Sequence, residues 1–166
     1  MQVTTSDQAL STKFKVPNTK PPSSKHLQPM LLRSEHLASI IAHARETAPA
    51  ECCGLIGGVD SDKANTIYRL RNVTPQPELS YEAAPEELFA AQRQMRSRGE
   101  ELLAIYHSHP RAIDPSPSET DVRLAYYPSA TYLIVGLGGA EPIVKAFKIS
   151  EREQRWQQVE YAIMGE

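Results

Sequence analysis

The stretch ELLAIYHSHP, from Glu101 to Pro110, reads as a buried strand, and the segments on either side of it leave few folds open. Upstream, SEHLASIIAHARETAPAE has Ser34 at an N-cap position and Leu37, Ile40, Ile41 and Ala44 at helical spacing, which predicts a helix ending before Pro49. CCGLIGGV is a short apolar run bounded by glycines and NTIYRLRNV alternates, so the two predict a strand pair joined by the turn-like DSDKAN. After the proline-rich loop TPQPELSYEAAP, a second helix starts at Pro85 and stops at Gly99 around an apolar stripe at Leu88, Phe89 and Met95. Downstream lie a short helix in SETDVRLAYY and three strands, ATYLIVGL, PIVKAFKI and WQQVEYAIM. The order αββαβαβββ predicts an α/β fold, a single domain with a mixed β-sheet flanked by helices. Its strand-rich C-terminal half argues against a doubly wound parallel sheet.

A length of 166 residues also suits one domain with one core. No apolar run approaches the ~20 residues of a membrane helix, so no membrane association is expected. The net charge is −2, but the first 33 residues hold five Lys/Arg against Asp7 alone, so the remainder is acidic and no nucleic-acid-binding face is expected. Residues 1–30, rich in Ser, Thr, Lys and Pro and without periodicity, read as a flexible N-terminal tail, with residues 31–166 as the folded domain. That tail lacks the continuous apolar core of a signal peptide, and Met30 could be the true start. The only cysteines, Cys52 and Cys53, are adjacent and cannot staple distant parts of a fold, which fits a reducing, cytoplasmic setting. GLIGG lacks the spacing of a nucleotide-binding glycine loop.

The chemistry sits at the end of the buried strand. Residues two apart on a strand point to the same side, so His107 and His109 can converge on one ion while Ser108 points away. Two imidazoles and one carboxylate leave a fourth tetrahedral position open for water, which is what a catalytic zinc site requires. Asp114, Glu119 and Asp121 are the acids that follow, and the residues alone rank them only weakly. SETD also reads as a capping box with Ser118 at the N-cap and Asp121 at N3. The two roles are compatible if one carboxylate oxygen faces a metal and the other a backbone N–H.

Taken together, HSHP at 107–110, seven residues, Ser118, two residues and Asp121 resemble the His-Ser/Thr-His-Pro-x7-Ser-x2-Asp motif of the JAMM (MPN+) zinc metalloproteases. All five fixed positions match, and APAECCGLIGG resembles the family's glutamate-bearing strand, with Glu51 at the position of the base. The resemblance spans residues 31 to about 162 and implies the JAB/MPN, cytidine-deaminase-like fold. It implies His107, His109 and Asp121 as ligands of a Zn2+ cofactor, Glu51 as the catalytic base and Ser118 as the hydroxyl that holds the developing oxyanion. Only the resemblance brings Glu51, 56 residues before His107, to the metal; by position Glu100 and Glu101 belong to a solvated helix-to-strand turn and Glu119 to a helix N-terminus.

The remaining candidates read blandly. Cys52 and Cys53 are small residues of an apolar strand, His36 and His43 share a helix face as packed or solvated side chains, and Trp156 and Tyr161 belong to a core or interface. The resemblance implies that Leu79 and Tyr81, in the loop before Pro85, flank a substrate groove and could grip an extended peptide, the alternative being an ordinary solvated loop. The resemblance implies hydrolysis of an amide or isopeptide bond after the C-terminal tail of a ubiquitin-like protein, often one ending Gly-Gly. The short chain, without the long insertions of deubiquitinating members, is more similar to the compact prokaryotic type that acts on sulfur-carrier proteins. Alternatives from other classes are a non-catalytic MPN scaffold that binds partner proteins and a zinc hydrolase of small amides or peptides. A homodimer is plausible on general grounds.

Overall fold

In the computed structural model, which describes residues 28–165, the central strand has the setting its sequence demands. The elements are β1 (Met30–Leu32), α1 (Ser34–Thr47), β2 (Cys53–Gly58), β3 (Thr66–Leu70), α2 (Pro85–Ser97), β4 (Glu101–His109), α3 (Glu119–Arg123), β5 (Thr131–Gly136), β6 (Ile143–Ser150), β7 (Arg155–Val159) and β8 (Tyr161–Ile163). Six strands form one sheet in the order β3-β2-β4-β5-β6-β7. Only β4 and β5 run parallel, joined by the crossover that contains α3, and the other neighbours are antiparallel, so the sheet is mixed. Of the expected tail, residues 1–27 lie outside the described residues.

Alternation along the strands sorts their side chains onto two cores. On one face Ile40 and Ala44 of α1 meet Cys52, Ile56, Tyr106, Leu133 and Val135. On the other, Leu88, Ala91 and Met95 of α2 meet Cys53, Leu55, Ile105 and Ile134. Burial on both faces is why β2 and β5 read as unbroken apolar runs rather than alternating ones. The α2 stripe is therefore Leu88, Ala91 and Met95, spaced three and four apart; Phe89, expected in it, is 48% exposed. Gly99 ends α2 in the left-handed region at φ 68°, where a residue without Cβ is unstrained.

Three further details depart from the sequence reading. Met30 belongs to a strand: β1 pairs in parallel with β8, Met30 opposite Tyr161, and a three-residue strand is too short to show a period. WQQVEYAIM is two strands, because the chain leaves the sheet edge after Val159 to reach β1. The N-cap of α1 is Arg33 rather than Ser34, and its backbone N–H donates to Nδ1 of buried His36 at 3.3 Å.

Candidate metal centre

His107 and His109 occupy the C-terminal end of β4, between β2 and β5, with His107 opposite Cys53 on one side and Ile134 on the other. Both share a face with Ile105, toward the α2 core. Ser108 points the other way, where its Oγ accepts the backbone N–H of Cys52 at 2.8 Å. The chain then has to return to the histidines. The loop after Pro110 does this by packing on the end of β5, where Gly138 N–H donates to the Ala112 carbonyl at 2.9 Å. A methyl group at Gly136 or Gly138 would strike the backbone of Arg111 or Ala112, so close approach requires glycine at both positions.

That return ends in the capping box the sequence suggests. Ser118 Oγ accepts from Asp121 N–H at 3.1 Å, and Asp121 Oδ2 accepts from Ser118 N–H at 2.8 Å. The same Oδ2 lies 3.2 Å from His107 Nε2 and 3.1 Å from His109 Nε2, and the two nitrogens are 3.1 Å apart. The expected division of the carboxylate, one oxygen for each role, is not what is seen: Oδ2 faces both the cap and the histidines. It can do so because the N-cap amide and the end of β4 approach it from different sides.

Three lone-pair atoms in a near-equilateral triangle could hold a cation, and a tetrahedral zinc with ligands at 2.0–2.1 Å would have ligand–ligand edges of about 3.3 Å. The 3.1–3.2 Å edges here fit that ion closely. Among the described residues, His107, His109 and Asp121 are the one such group of His, Cys, Asp and Glu side chains. Asp114 is exposed and ion-paired to Lys145, and Glu119 is exposed on α3.

The electrostatics also suit a cation. Burial opposes a proton on His107, but the Asp121 carboxylate, its hydrogen bond and the charge of Glu51 outweigh burial and raise the imidazole above 6.5. Burial likewise opposes charge on Asp121, yet His107, His109 and the Ser118 N–H hold its carboxyl well below the usual carboxylate range. His107 is fully buried and its Nδ1 has no hydrogen-bond partner; its ring is stacked on Tyr81, centroids 4.7 Å apart at 29°. Packing rather than an outer hydrogen bond therefore orients this ring, a departure from the usual way histidine ligands are held.

Glu51 lies close enough to the triad for its charge to act on His107. The β2–β4 register pairs Cys53 with His107, so Glu51, two residues before Cys53, falls on the same side of the sheet beside His109. It is 6% exposed, and its charge acts on His107, Tyr81 and Cys52. The rival Glu100 is buried rather than solvated, but it sits just before the opposite end of β4, where the Thr66 and Tyr68 hydroxyls donate to it at 2.5 and 2.6 Å. Glu101 is exposed at that same end.

A cleft beside the triad is lined by Leu79, Ser80 and Tyr81 from one side and by Ser118, Asp121 and Leu124 from the other. Leu79 is 70% exposed there, whereas Tyr81 is the support of His107 as well as a wall of the cleft. Arg111, two residues past His109, donates to Glu78 at 2.9 Å and ties the loops on either side of the cleft.

The other candidates are structural. Both cysteines are buried and neither is in a disulfide, and burial pushes the Cys52 thiol up to about 11, which keeps it protonated. His43 shares a hydrogen bond of 2.8 Å with the Tyr106 hydroxyl. Trp156 packs edge-on against Phe147 at the sheet edge. The sequence reading missed Asn72, whose side chain bonds the backbone of Glu51 and of the loop after β3. An asparagine just past an alternating strand and two residues before Thr74-Pro75 is a turn signal that marks it.

Comparison with known proteins agrees with this geometry. Residues 33–156 match the family model described as prokaryotic homologs of the JAB domain. The chain is 42% identical over 108 residues to a desampylase of Haloferax volcanii, covering 61% of this chain and 76% of that one. It is 34% identical over 107 residues to a CysO-cysteine peptidase of Mycobacterium tuberculosis, covering 64% and 72%. Among solved structures, a Desulfitobacterium hafniense protein superposes with a TM-score of 0.72 at 34% identity, over 82% of this chain and 94% of the other. A JAB1/MPN domain protein from Archaeoglobus fulgidus shares the fold at a TM-score of 0.57 and 20% identity, over 82% and 98%.

Proposed function

The chain belongs to the family of prokaryotic JAB-domain homologs, and on that premise we propose that it is a zinc-dependent peptidase that hydrolyses an amide bond after the C-terminal tail of a ubiquitin-like or sulfur-carrier protein. The observation that carries the reading is the triangle of His107 Nε2, His109 Nε2 and Asp121 Oδ2, with Ser118 on its rim and Glu51 beside it. The names of its relatives, a desampylase and a CysO-cysteine peptidase, support the substrate class.

His107, His109 and Asp121 would hold the zinc, which when bound would supply a Lewis acid for the scissile carbonyl and lower the pKa of a bound water to about 7. Glu51 is the catalytic base: it takes a proton from the attacking water and returns it to the leaving amine as the C–N bond breaks. Its burial beside His107 keeps competing solvent from that carboxylate. Ser118 Oγ accepts from Asp121 N–H, which leaves its own hydroxyl proton free to donate to the oxygen that gains charge in the transition state. No covalent bond between enzyme and substrate is needed.

The tail lies extended along the cleft between Leu79–Tyr81 and Ser118–Leu124, where small residues such as Gly-Gly approach the metal most closely. The peptidase domain begins at β1 with Met30, and a homodimer is compatible with the exposed β7 edge. Two adjacent buried thiols suit a reducing cytoplasm, and no helix among the described residues is long and apolar enough to cross a membrane. The test is to measure bound zinc and the cleavage of C-terminally extended ubiquitin-like proteins, with Glu51→Gln and His109→Ala beside the wild type. The expected result is about one zinc per chain and cleavage lost in both variants, with zinc retained only in Glu51→Gln. Cleavage that survives both substitutions, or a wild type that takes up no zinc, overturns the reading.

A further inference from the structure

We propose that Asn72 is a positioning residue, a single side-chain amide that holds the base Glu51 and the ring behind His107, Tyr81, in one fixed relation. The inference rests on the roles given to Glu51 and His107 above. Asn72 follows β3 and forms an isolated antiparallel bridge with Ala83. Its Nδ2 donates to the carbonyls of Glu51 and Ser80, each at 3.0 Å. Its Oδ1 accepts the backbone N–H of Thr74 at 3.2 Å and of Glu82 at 3.0 Å. Two donors and two lone pairs are all that a side-chain amide has, so its capacity is filled, and by backbone alone. The orientation of the amide follows from those partners. Reversed, its oxygen would face two carbonyls and its nitrogen two N–H groups.

What these bonds hold is both halves of the chemistry. Glu51 N–H donates to the Pro77 carbonyl at 2.7 Å while its own carbonyl takes Asn72 Nδ2, so one loop grips the glutamate from both of its peptide groups. Tyr81 lies between Ser80 and Glu82, two of the four residues whose backbone Asn72 binds, and its ring stacks on His107. Nδ1 of His107 has no hydrogen-bond partner, so the ring is set by that stack together with the contacts of its Nε2 to His109 and Asp121. A turn-closing asparagine needs only Oδ1 on the N–H two residues on, here Thr74. The two Nδ2 bonds and the Oδ1 bond to Glu82 exceed that need; the Nδ2 bonds reach Glu51 and Ser80, and the bonds to Ser80 and Glu82 flank Tyr81.

The test uses the zinc-loaded full chain with Asn72→Asp, which keeps the Oδ1 acceptor and loses both donors, and Asn72→Ser, a neutral companion that keeps a weaker turn. Bound zinc, melting temperature, kcat and KM on a C-terminally extended ubiquitin-like protein, and amide exchange across residues 50–52 and 73–82 are measured. A misplaced base costs on the order of 100-fold, so kcat is expected to fall 10- to 100-fold with KM changed less than threefold. Zinc content and melting temperature stay close to wild type, and exchange in 73–82 quickens about tenfold while β4 and β5 keep their protection. Unchanged kcat, a change in KM alone, unaltered exchange in 73–82, or activity lost only in step with zinc and melting temperature overturns the inference. A zinc-loaded wild type that leaves every such substrate intact overturns the peptidase reading instead, and the exchange measurement then still decides whether Asn72 clamps the loop.

Discussion

Ser118 has two roles in this structure, and two substitutions separate them. As the N-cap of α3 its Oγ accepts the Asp121 N–H, and as a wall of the cleft its hydroxyl is free to donate toward the reacting carbonyl. Replacing an N-cap serine by alanine costs about 1 kcal/mol, but replacing it by glycine costs only a few tenths, since glycine is itself a tolerable cap. For a domain of this size about 1 kcal/mol is a fall of roughly 3 °C in melting temperature. Neither change touches the bond from Ser118 N–H to Asp121 Oδ2, so the ligand stays in place and zinc content should not move. Losing one donor to a developing oxyanion costs about 100- to 1,000-fold in kcat. The expected pattern is that Ser118→Ala and Ser118→Gly lose similar kcat while differing by a few degrees in thermal unfolding. Turnover on a ubiquitin-like fusion and a melting curve on the same samples suffice. If Ser118→Gly keeps kcat within threefold of wild type, the hydroxyl is no oxyanion donor. If alanine loses far more kcat than glycine, Ser118 acts through the position of Asp121, and the proposed donor role fails.

Removing zinc with a chelator should stop cleavage and lower the melting temperature, because a ligand held at ~1,000 times its Kd stabilises by about 4 kcal/mol; a melting temperature indifferent to added zinc would count against the triad as a metal site. Gly54→Ala should destabilise by at least ~1–3 kcal/mol, because the new methyl collides with the buried Tyr106 ring on the α1 face, while zinc content is retained on the other face; an unchanged denaturant midpoint would refute that. The imidazole of His43 is held below 6.5 by burial and then by the charge of Arg69, so its contribution to stability is present above the unfolded pKa and lost as pH falls. His43→Gln should therefore lose less melting temperature than wild type between about pH 7.5 and 5.5; parallel curves would exclude the effect, and zinc loss on acidification is common to both proteins.

Elements with a long, regular pattern were legible in the chain, and those held by partners were not. The α2 boundaries follow from Pro85 and Gly99, and β4 from an apolar run ending at a proline, because both signals are local. The stripe of α2 was misread at Phe89 because side-chain size stood in for direction: the face is set by Leu88 and Met95, and small Ala91 lies on it. β1 and β8 are strands only because each supplies the other's hydrogen bonds, and no three-residue segment carries a period of its own. Glu100 looks like a solvated turn residue until the Thr66 and Tyr68 hydroxyls, more than 30 residues away in sequence, meet it in space.

The site divides along the same line. His107, His109, Ser118 and Asp121 were legible as a spacing because one strand end and one capping box hold them, and both are local structures. Glu51 is proposed as the base through family resemblance alone, since what brings it near His107 is strand register, which leaves no mark on nearby residues. Yet the motif itself carries the device that sets this register. The residue between the two histidines must point to the opposite face, and there Ser108 Oγ accepts the N–H of Cys52 while its own N–H donates to the Cys52 carbonyl at 3.2 Å. A one-residue slip of β2 would break both bonds, strand a buried donor at a cost of ~1–3 kcal/mol, and turn the side chain next to Cys52 away from the metal. His-Ser-His is thus a pair of proposed ligands on one side of the strand and a register pin on the other, so the three residues that would place a zinc would also place the proposed base, one residue before Cys52.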